Sequence, residues 1–408
     1  MSWEVRALAE VADFKLGKML DQNKNRGQLR PYLANVNVRW GAFGLNDLRE
    51  MRFEDHELDR FGLSSGDIVM CEGGEPGRCA IWNDQLPGMM FQKALHRIRP
   101  HECLDSRFLY YSFLRKGRLD GFGGLFTGST IKHLPKEKLA KVEVTFPEIE
   151  EQRRIAATLS AYDELIDNNR RRIGLLEEAA RQLYKEWFVC FRFPGYDHVK
   201  LIDGVPEGWE RKRIGLLTTK IGSGATPRGG SAAYQDTGIT LIRSQNIYDF
   251  QFDDVGLTYI NEEQAAKLDN VTIQPGDVLL NITGASVGRC CQVPERHLPA
   301  RVNQHVMIIR CDPDKCGPNF LTHSINAQQN KEILLSIARA GGATREALTK
   351  DIVTNFEILM PTPSLLQDFE EAALPMFEQH ERLAAMNAAL AKARDFLLPR
   401  LMNGTLAV

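Results

Sequence analysis

The segment that decides the fold runs from Phe146 to Phe188 and has the sequence FPEIEEQRRIAATLSAYDELIDNNRRRIGLLEEAARQLYKEWF. After Pro147 it contains no further proline and a single glycine, Gly174. Its apolar side chains recur at alternating steps of four and three residues, which is the spacing of a coiled-coil seam. The apolar seam positions are Ile155, Leu159, Tyr162, Ile166, Ile173, Leu176, Ala180, Leu183 and Trp187, with Asn169 as a polar break. The segment is therefore predicted to be a long helix that needs a second long helix to cover its seam.

A second segment, near the end of the sequence, repeats this pattern. Its apolar positions are Phe369, Ala373, Met376, Leu383, Leu390, Leu397 and Leu401, with His380, Asn387 and Arg394 at the intervening seam positions. The partner helix is therefore predicted in the same chain, although two unrelated amphipathic surface helices have similar spacing. A paired stalk of this kind, roughly 50 to 60 Å long, would hold two globular heads apart. Pro375 is expected to kink or delay the second helix, because proline removes a helix hydrogen bond.

The globular parts of the sequence are two copies of one unit, offset by about two hundred residues. The matched segments, in chain order, are Trp3–Arg6 with Trp209–Lys212, Leu16–Lys18 with Ile221–Ser223, Leu33–Val38 with Ile242–Ile247, Leu63–Met70 with Ile273–Leu280, Gly77–Cys79 with Gly288–Cys290, Gln92 with Gln304, Phe108–Leu109 with Phe320–Leu321, and Phe146–Pro147 with Met360–Pro361. Chance explains one or two such matches but not a collinear series. The sequence therefore predicts a duplication.

Each copy begins with short alternating strands and turns rich in Gly, Pro and Asn, and each ends in one of the long helices. Gly66-Asp67 and Gly276-Asp277 are predicted as tight turns that lead into a buried strand, since Gly and Asp tolerate turn geometry. Nucleases also use such aspartates, but neither Asp has a companion Glu-x-Lys nearby. The predicted class is α+β, with two mixed α/β heads and two long helices.

Composition excludes several classes of protein. The chain has 408 residues, of which 43% are hydrophobic and 25% are charged, as in a globular protein of several domains. No apolar run is long enough to span a bilayer and the start lacks a secretion signal, so a cytoplasmic protein is predicted. The eight cysteines are expected to be reduced thiols. Cys311 and Cys316 could supply two ligands of a zinc site, but no second Cys/His pair follows at ligand spacing, so no metal is predicted.

The net charge is −2, so nucleic-acid binding must depend on local patches. Residues 15–39 and 211–247 each carry six basic residues against one acidic residue. Arg suits guanine, Asn and Gln suit adenine, and Lys neutralises phosphates. The candidate DNA-binding residues are Lys18, Asn23, Lys24, Arg26, Arg30, Asn37, Arg78, Gln92, Lys93 and Lys132 in the first copy, and Arg228, Arg243, Gln245, Asn246, Arg289, Gln304, His305 and Arg345 in the second. For any single member an exposed, solvated side chain is the alternative, and the prediction depends on the cluster.

Enzyme signatures are missing from the sequence. SGATPRGG, residues Ser223 to Gly230, lacks the Walker pattern of a phosphate-binding loop. There is no Asn-Pro-Pro-aromatic methyltransferase motif, no Gly-rich cofactor fingerprint that opens a helix, and no nucleophile elbow. We therefore predict no catalytic residues and no cofactor bound by this chain.

The 146–188 segment resembles the central helix of type I restriction-modification specificity subunits. The residues that carry this resemblance are Pro147, Glu150-Glu151-Gln152 and Lys185-Glu186-Trp187-Phe188. GDVLLNITGASVGRC and the ending FLLPRLMNGTL are similar to segments of the same family, so the resemblance covers almost the whole chain. In the second helix Leu365-Leu366-Gln367 stands where the family has Glu-Glu-Gln, so the contacts of that helix are less well predicted.

The resemblance implies two target recognition domains, separated by two long antiparallel coiled-coil helices, in a pseudo-twofold internal repeat. The expected boundaries are recognition domain 1 at 1–147, the central spacer helix at 148–190, a linker at 191–207, recognition domain 2 at 208–361, the C-terminal spacer helix at 362–403 and a tail at 404–408. The resemblance implies recognition of a bipartite, asymmetric site in double-stranded DNA. Heads held about one to two duplex turns apart would contact two half-sites separated by unread bases, since successive major-groove faces recur about every 34 Å.

The resemblance also implies partners. Two modification subunits would supply S-adenosylmethionine chemistry to adenine, and restriction/translocase subunits would supply ATP- and Mg-dependent cleavage. The candidate docking residues on the first helix are Arg153, Arg154, Arg170, Arg171 and Arg172, although a run of charge is usually a solvated face. The alternatives are a self-sufficient nuclease or methyltransferase, and a scaffold that uses its coiled coil without binding DNA.

Overall fold

The computed structural model describes residues 3–21, 25–119, 121–128, 132–340 and 346–407. It divides into two compact units. Unit 1 comprises residues 1–167 together with 387–408, and unit 2 comprises residues 168–386. We call the globular part of unit 1, up to residue 147, head 1, and residues 208–361 of unit 2 head 2.

Head 1 contains short strands and short helices, followed by the first long helix. Its strands are β1 (Glu4–Ala7), β2 (Ala12–Leu16), β3 (Gln28–Leu33), β4 (Val38–Arg39), β5 (Ala42–Phe43), β6 (Arg49–Phe53), β7 (Ile68–Cys71), β8 (Cys79–Ile81), β9 (Met90–Phe91), β10 (Leu95–Pro100) and β11 (Glu143–Phe146). The helices are α1 (Leu8–Val11), α2 (Leu58–Phe61), α3 (Ser106–Arg118), α4 (Lys136–Leu139) and the long α5 (Ile149–Tyr184).

Head 2 repeats this series and is followed by the second long helix. The strands of unit 2 are β12 (Leu201–Ile202), β13 (Val205–Pro206), β14 (Glu210–Arg213), β15 (Thr218–Ser223), β16 (Ile239–Ile242), β17 (Thr258–Ile260), β18 (Val278–Asn281), β19 (Cys290–Gln292), β20 (Ala300–Val302), β21 (Val306–Cys311) and β22 (Glu357–Met360). The helices are α6 (Glu262–Lys267), α7 (Pro318–Asn326), α8 (Gln328–Ala340), α9 (Lys350–Asn355) and the long α10 (Pro363–Leu401).

Three sheets recur in both heads, and the two-stranded sheet β4-β5 of head 1 corresponds to an isolated bridge between Ile247 and Phe252 in head 2. A four-stranded sheet has the order β2-β10-β7-β8 in head 1 and β15-β21-β18-β19 in head 2. A three-stranded sheet has the order β6-β3-β9 in head 1 and β17-β16-β20 in head 2, with one parallel pair in each case. The pairing of Glu4 with Phe146 is repeated by Glu210 with Met360. The two heads therefore share these strand orders and the pairing of their first and last strands.

The turn that precedes strand β7 in head 1 has the same form as the turn that precedes strand β18 in head 2. Gly66 and Gly276 have positive φ angles of 89° and 78°. Asp67 accepts hydrogen bonds from Arg99 Nε and Nη2 at 2.7 and 2.8 Å, and Asp277 accepts the same pair from Arg310 at the same distances. The Asp residues turn the chain, as predicted, but the arginine that neutralises each buried carboxylate was not foreseen.

The two long helices pack against each other within each unit. In unit 1, Ile155 and Leu159 of α5 share a buried core with Leu398 and Leu401 of α10. In unit 2, the ring of Phe369 on α10 lies 5.0 Å from that of Phe188, just beyond α5. Here α10 runs from Phe369 to His380 while its contacts move back from Phe188 to Glu177, so the paired segments are antiparallel.

The second long helix is not delayed by its internal proline. α10 begins at Pro363 and continues through Pro375 to Leu401, so the expected delay of this helix was wrong. Gly174 lies within α5. After Tyr184 the helix continues as a π turn over Lys185–Val189. No helix among the described segments is both long and apolar enough to cross a membrane.

A buried side chain ties each head to its long helix. In unit 1 the amide of Gln152 accepts from the N–H of Asp105 and donates to the carbonyls of Cys103 and Pro147, all at 2.9 Å. Gln152 is fully buried. This gives a structural role to the glutamine of the Glu-Glu-Gln motif.

In unit 2 the contact between head 2 and its long helix is made by Glu370 and not by Gln367. Gln367 is exposed and bonds to Glu371 one turn away. The carboxylate of Glu370 instead accepts from the N–H of Phe320 at 2.7 Å and from Asn319 Nδ2 at 2.9 Å. Burial raises the pKa of Glu370 in this position, against the opposing effect of these hydrogen bonds. The departure from Glu-Glu-Gln thus coincides with a different helix-to-head contact.

Candidate nucleic-acid interface

In each head a short 3-10 turn follows the central strand of the three-stranded sheet. In head 1 this turn is Asn35–Asn37, and Asn37 is buried beneath it. Asn37 Oδ1 accepts from the N–H of Ala34 at 2.9 Å, while Nδ2 donates to the carbonyls of Gly44 and Asp47 at 3.0 and 3.2 Å. These three hydrogen bonds hold the turn in one conformation. We call it the locked turn of head 1.

The locked turn of head 2 is Ser244–Asn246, and it has the same hydrogen bonds. Asn246 Oδ1 accepts from the N–H of Arg243 at 3.1 Å, and Nδ2 donates to the carbonyls of Asp253 and Val255 at 2.9 and 3.2 Å. Asn246 is fully buried. The sequence match of Leu33–Val38 with Ile242–Ile247 therefore reflects a common buried scaffold.

Three predicted DNA-binding residues point into the protein and drop out of the candidate surface. Asn37 and Asn246 are buried, and their amide groups are already hydrogen-bonded within the locked turns. Lys18 is 5% exposed, forms an ion pair with Glu57 and donates to the carbonyl of Arg52 at 2.9 Å. Burial by itself would raise the pKa of Glu57, but the hydrogen bonds from Lys18 and the backbone lower it overall.

The loop that joins β7 to β8 packs beside the locked turn of head 1. Arg78 Nη2 donates to the carbonyl of Asn35 at 3.0 Å and Nη1 forms an ion pair with Glu75. Asn35 Nδ2 in turn lies 3.4 Å from the carbonyl of Gly73, which pairs with His133 in a β-bridge. The structure thus brings Arg78 and the segment that follows Lys132 to one side of head 1.

The equivalent loop of head 2 joins β18 to β19 and gathers a different set of polar side chains. His305 Nδ1 lies 2.7 Å from Thr283 Oγ1, and its Nε2 lies 3.0 Å from Gln304 Nε2. Gln304 Oε1 accepts from Thr226 Oγ1 at 2.6 Å. Thr283 also pairs with Ala347 in the counterpart of the Gly73–His133 bridge. Segments that are far apart in sequence, around Thr226, Thr283 and Gln304, therefore meet on one side of head 2.

Two arginines of head 2 lie over aromatic rings beside the locked turn. The guanidinium of Arg289 is 4.4 Å from the ring centroid of Tyr248, and that of Arg243 is 5.3 Å from the ring of Tyr234. Arg243 Nη2 and Gln245 Nε2 both donate to the carbonyl of Gly256, at 2.6 and 3.1 Å. These contacts restrict the side chains of Arg243 and Arg289, both of which are half-buried.

The other predicted DNA-binding residues differ in accessibility. The exposed ones are Arg26, Lys93 and Lys132 in head 1, and Arg228, Gln245 and Gln304 in head 2. The half-buried ones are Arg30, Arg78 and Gln92 in head 1, and Arg243, Arg289 and His305 in head 2. Asn23, Lys24 and Arg345 lie outside the described residues. The contact of all these residues with DNA stays a prediction.

The strand register corrects two of the sequence matches. The matches set Gly17 against Gly222, but Leu16 pairs with His96 as Ser223 pairs with Met307, so Gly17 corresponds to Gly224. A Cβ at Gly17 would meet the backbone carbonyls of Gln92 and Phe91, and one at Gly224 those of Asn303 and Val302. Gln92 is thus equivalent to Asn303, and Lys93 is equivalent to Gln304.

The arginines predicted to dock partner subunits all lie on α5 and are exposed. Arg153 and Arg154 form ion pairs with Glu150 and Glu151 one turn earlier in the same helix. Arg170, Arg171 and Arg172 lie near the middle of the helix. Partner docking by these five residues stays a prediction.

Some exposed residues next to the locked turns escaped the sequence analysis. Val36 is 57% exposed and Tyr248 is 39% exposed. Arg39 is exposed and donates to the carbonyl of Val36 at 2.7 Å. Their position in the matched segments Leu33–Val38 and Ile242–Ile247, or just after them, was the available signal.

Comparison with known proteins connects this architecture to a described family. Residues 1–178 match the family model of the type I restriction modification DNA specificity domain. The specificity subunit of the type I restriction enzyme MjaIX from Methanocaldococcus jannaschii is 27% identical over 387 residues, which cover 92% of this chain and 85% of the relative. The specificity subunit of the type I restriction enzyme HindI from Haemophilus influenzae is 22% identical over 412 residues, which cover 86% and 83% of the two chains.

One solved structure has the same fold over almost its whole length. The crystal structure of the type I restriction-modification S subunit from M. genitalium aligns with a TM-score of 0.64 at 16% identity, covering 98% of this chain and 96% of that one. At this level of identity the likeness shows the fold alone.

Proposed function

We propose that this chain is a specificity subunit of a type I restriction-modification system and that it recognises a bipartite, asymmetric DNA site. Its role is recognition of DNA sequence, and it is not itself an enzyme. In this proposal head 1 and head 2 are two target recognition domains, and each contacts one part of the site.

A common scaffold with different exposed side chains supports this proposal. Asn37 and Asn246 make the same buried hydrogen bonds, so the two heads present their loops in the same way. The exposed residue of the locked turn is Val36 in head 1 and Gln245 in head 2. Because exposed side chains recognise base edges, heads of equal shape but different surface bind different sequences. The complete site is then asymmetric.

The two long helices act in this proposal as a spacer between the parts of the site. The ion pair of Asp163 with Arg394 and the contact of Glu177 with His380 support a defined antiparallel register. A defined register gives a defined number of unread base pairs.

Partner subunits supply the chemistry in this proposal. Two modification subunits dock on the repeated body of the chain, with S-adenosylmethionine bound to them, because a duplicated chain offers two similar surfaces. Restriction/translocase subunits with ATP and Mg complete the complex.

The test of this function is the methylation pattern of DNA in the presence of the modification subunits. The wild-type complex is expected to methylate adenine in one motif with two defined parts. Replacement of residues 208–361 by head 2 of another specificity subunit is expected to change one part and to leave the other part and the gap unchanged.

Two results would contradict the proposal. A wild-type complex that binds partner subunits but leaves no motif would identify the chain as a scaffold. Methyl transfer by the isolated chain with S-adenosylmethionine would identify it as an enzyme.

A further inference from the structure

The middle residue of the locked turn is the exposed one in both heads. Val36 lies between Asn35 and the buried Asn37, and Gln245 lies between Ser244 and the buried Asn246. Val36 is 57% exposed, and Gln245 is also exposed. A single exposed apolar side chain is ordinary on a protein surface. Its equivalence to Gln245 on the same rigid turn is what sets Val36 apart.

The backbone beneath each exposed residue is held from several directions. In head 1 the carbonyl of Asn35 accepts from Arg78 at 3.0 Å, and the carbonyl of Val36 accepts from Arg39 at 2.7 Å. The thiol of Cys71, at the end of β7, also lies 3.8 Å from the carbonyl of Asn35. The turn is thus ordered before any ligand binds, which lowers the entropy cost of recognition.

In head 2 an asparagine takes the place of the thiol. Asn281, at the end of β18, is the equivalent of Cys71 in the strand register and is fully buried. Its Nδ2 donates to the carbonyl of Ser244 at 2.8 Å. The same carbonyl of the locked turn is therefore held from the same strand in both heads.

Cationic side chains surround both exposed residues. Arg39 and Arg78 lie against the locked turn of head 1, since both donate to its carbonyls. Arg243 precedes the turn of head 2, and Arg289 stacks on Tyr248 just after it. Phosphate contacts from such residues position a protein on the duplex, while a residue between them meets the base edges.

We propose that Val36 and Gln245 are equivalent base-recognition positions, with Val36 contacting the methyl group of a thymine and Gln245 hydrogen-bonding the edge of an adenine. This inference rests on the proposed function. Aliphatic groups contact the thymine C5-methyl group in the major groove. The amide of Gln pairs with adenine N6 and N7 through two hydrogen bonds. The two heads then differ in base preference at the same position of their turns.

The experiment exchanges the two side chains in the full chain, assembled with its modification subunits. Val36→Gln is expected to change one base pair of one half-site from T·A to A·T, by about tenfold to a hundredfold in relative methylation. Gln245→Val is expected to make the opposite change in the other half-site. The readout is the methylated motif across a genome, determined by sequencing.

Matched control variants test whether the effect is specific to the locked turns or follows from any change of an exposed side chain. Leu29→Gln replaces an aliphatic residue of head 1 that is 54% exposed on β3, and Gln274→Val replaces an exposed glutamine of head 2. Both controls are expected to keep the wild-type motif. If Val36→Gln assembles poorly, Val36→Ala is expected to relax the same single position.

The outcomes distinguish this inference from the proposed function. Unchanged base preference in Val36→Gln and Gln245→Val, with a normal wild-type motif, would overturn the assignment of these two residues. Loss of methylation at all sites in a folded Val36→Ala variant would overturn it as well. Absence of any wild-type motif would instead refute the proposed function.

Discussion

At the scale of single residues, the structure separates side chains that support the loops from side chains that face outward. Asn37 and Asn246 are of a residue type that often contacts base edges, yet both are buried and support the locked turns. Gly17 and Gly224 lie against neighbouring backbone carbonyls, so no side chain fits there. Residue type alone therefore overestimates the candidate surface.

The close contacts of Gly17 and Gly224 with neighbouring backbone carbonyls lead to a prediction about stability. Gly17→Ala and Gly224→Ala are expected to lower the free energy of unfolding by about 2 kcal/mol or more, because the new methyl group overlaps backbone atoms. Gly174→Ala is the matched control. It has open space around its Cβ position in the middle of α5 and should stabilise the protein by about 0.5 to 1 kcal/mol. Urea unfolding measures all three, and equal effects would contradict the role of the close contacts.

Gln152 provides a second prediction at this scale. Gln152→Ala removes the partners of three buried backbone groups and is expected to cost about 2 to 4 kcal/mol. Gln182→Ala, an exposed position on the same helix, should change stability by less than about 0.5 kcal/mol. The measurement is the shift of the thermal midpoint, and a similar shift in both variants would argue against the tie between helix and head.

At the scale of elements, two polar contacts beside the helix seam mark which segments of α5 and α10 meet. Glu177 and Asp163 are fourteen residues apart on α5, and their partners His380 and Arg394 are fourteen residues apart on α10. This spacing equals two heptads, so both contacts belong to one register. His380 also lies 3.2 Å from Glu381 on its own helix.

The His380 contact predicts a pH dependence of stability. Burial lowers the pKa of His380, but hydrogen bonds to Glu177 and Glu381 outweigh this effect and raise it to about 9. Because the folded pKa lies above the unfolded value of about 6.5, the stabilisation is complete below pH 6.5 and is lost as the pH rises through 9. His380→Gln should therefore cost on the order of 2 kcal/mol at pH 6 and much less at pH 10.

Urea unfolding across this pH range tests the seam histidine. The control is His198→Gln, which replaces an exposed histidine of unit 2 and should show a small, constant difference from the wild type. A cost for His380→Gln that increases with pH would contradict the ion-pair account.

At the scale of the whole molecule, the chain uses one head architecture twice and varies its exposed residues. The same sheet orders, glycine contacts and aspartate–arginine pairs recur in both heads. Repetition of the scaffold leaves the loops free to differ. This arrangement supports the proposal that the two heads recognise different parts of one DNA site.

The spacer proposal predicts how the gap in the DNA site depends on helix length. One heptad inserted after Arg170 in α5 and one after Met386 in α10 keep the antiparallel register, because both points lie midway between the two polar contacts. Seven residues add about 10 Å, so the gap is expected to increase by about three base pairs. Methylome sequencing gives the gap directly. A heptad in one helix alone should abolish assembly, and an unchanged gap in the double insertion would refute the spacer role.

The sequence by itself predicted the two long helices and the repeated motifs, because periodicity and repeated motifs are local properties of the chain. It also located the Gly-Asp turns that precede the buried strands β7 and β18. It did not determine which polar residues face outward, since that depends on contacts between segments far apart in sequence, such as Cys71 with Asn35 and Asn281 with Ser244. Only the tertiary structure decided the strand register, which makes Gly17 of head 1 equivalent to Gly224 of head 2. A register shift of one or two residues leaves the composition unchanged but gives every side chain a new neighbour.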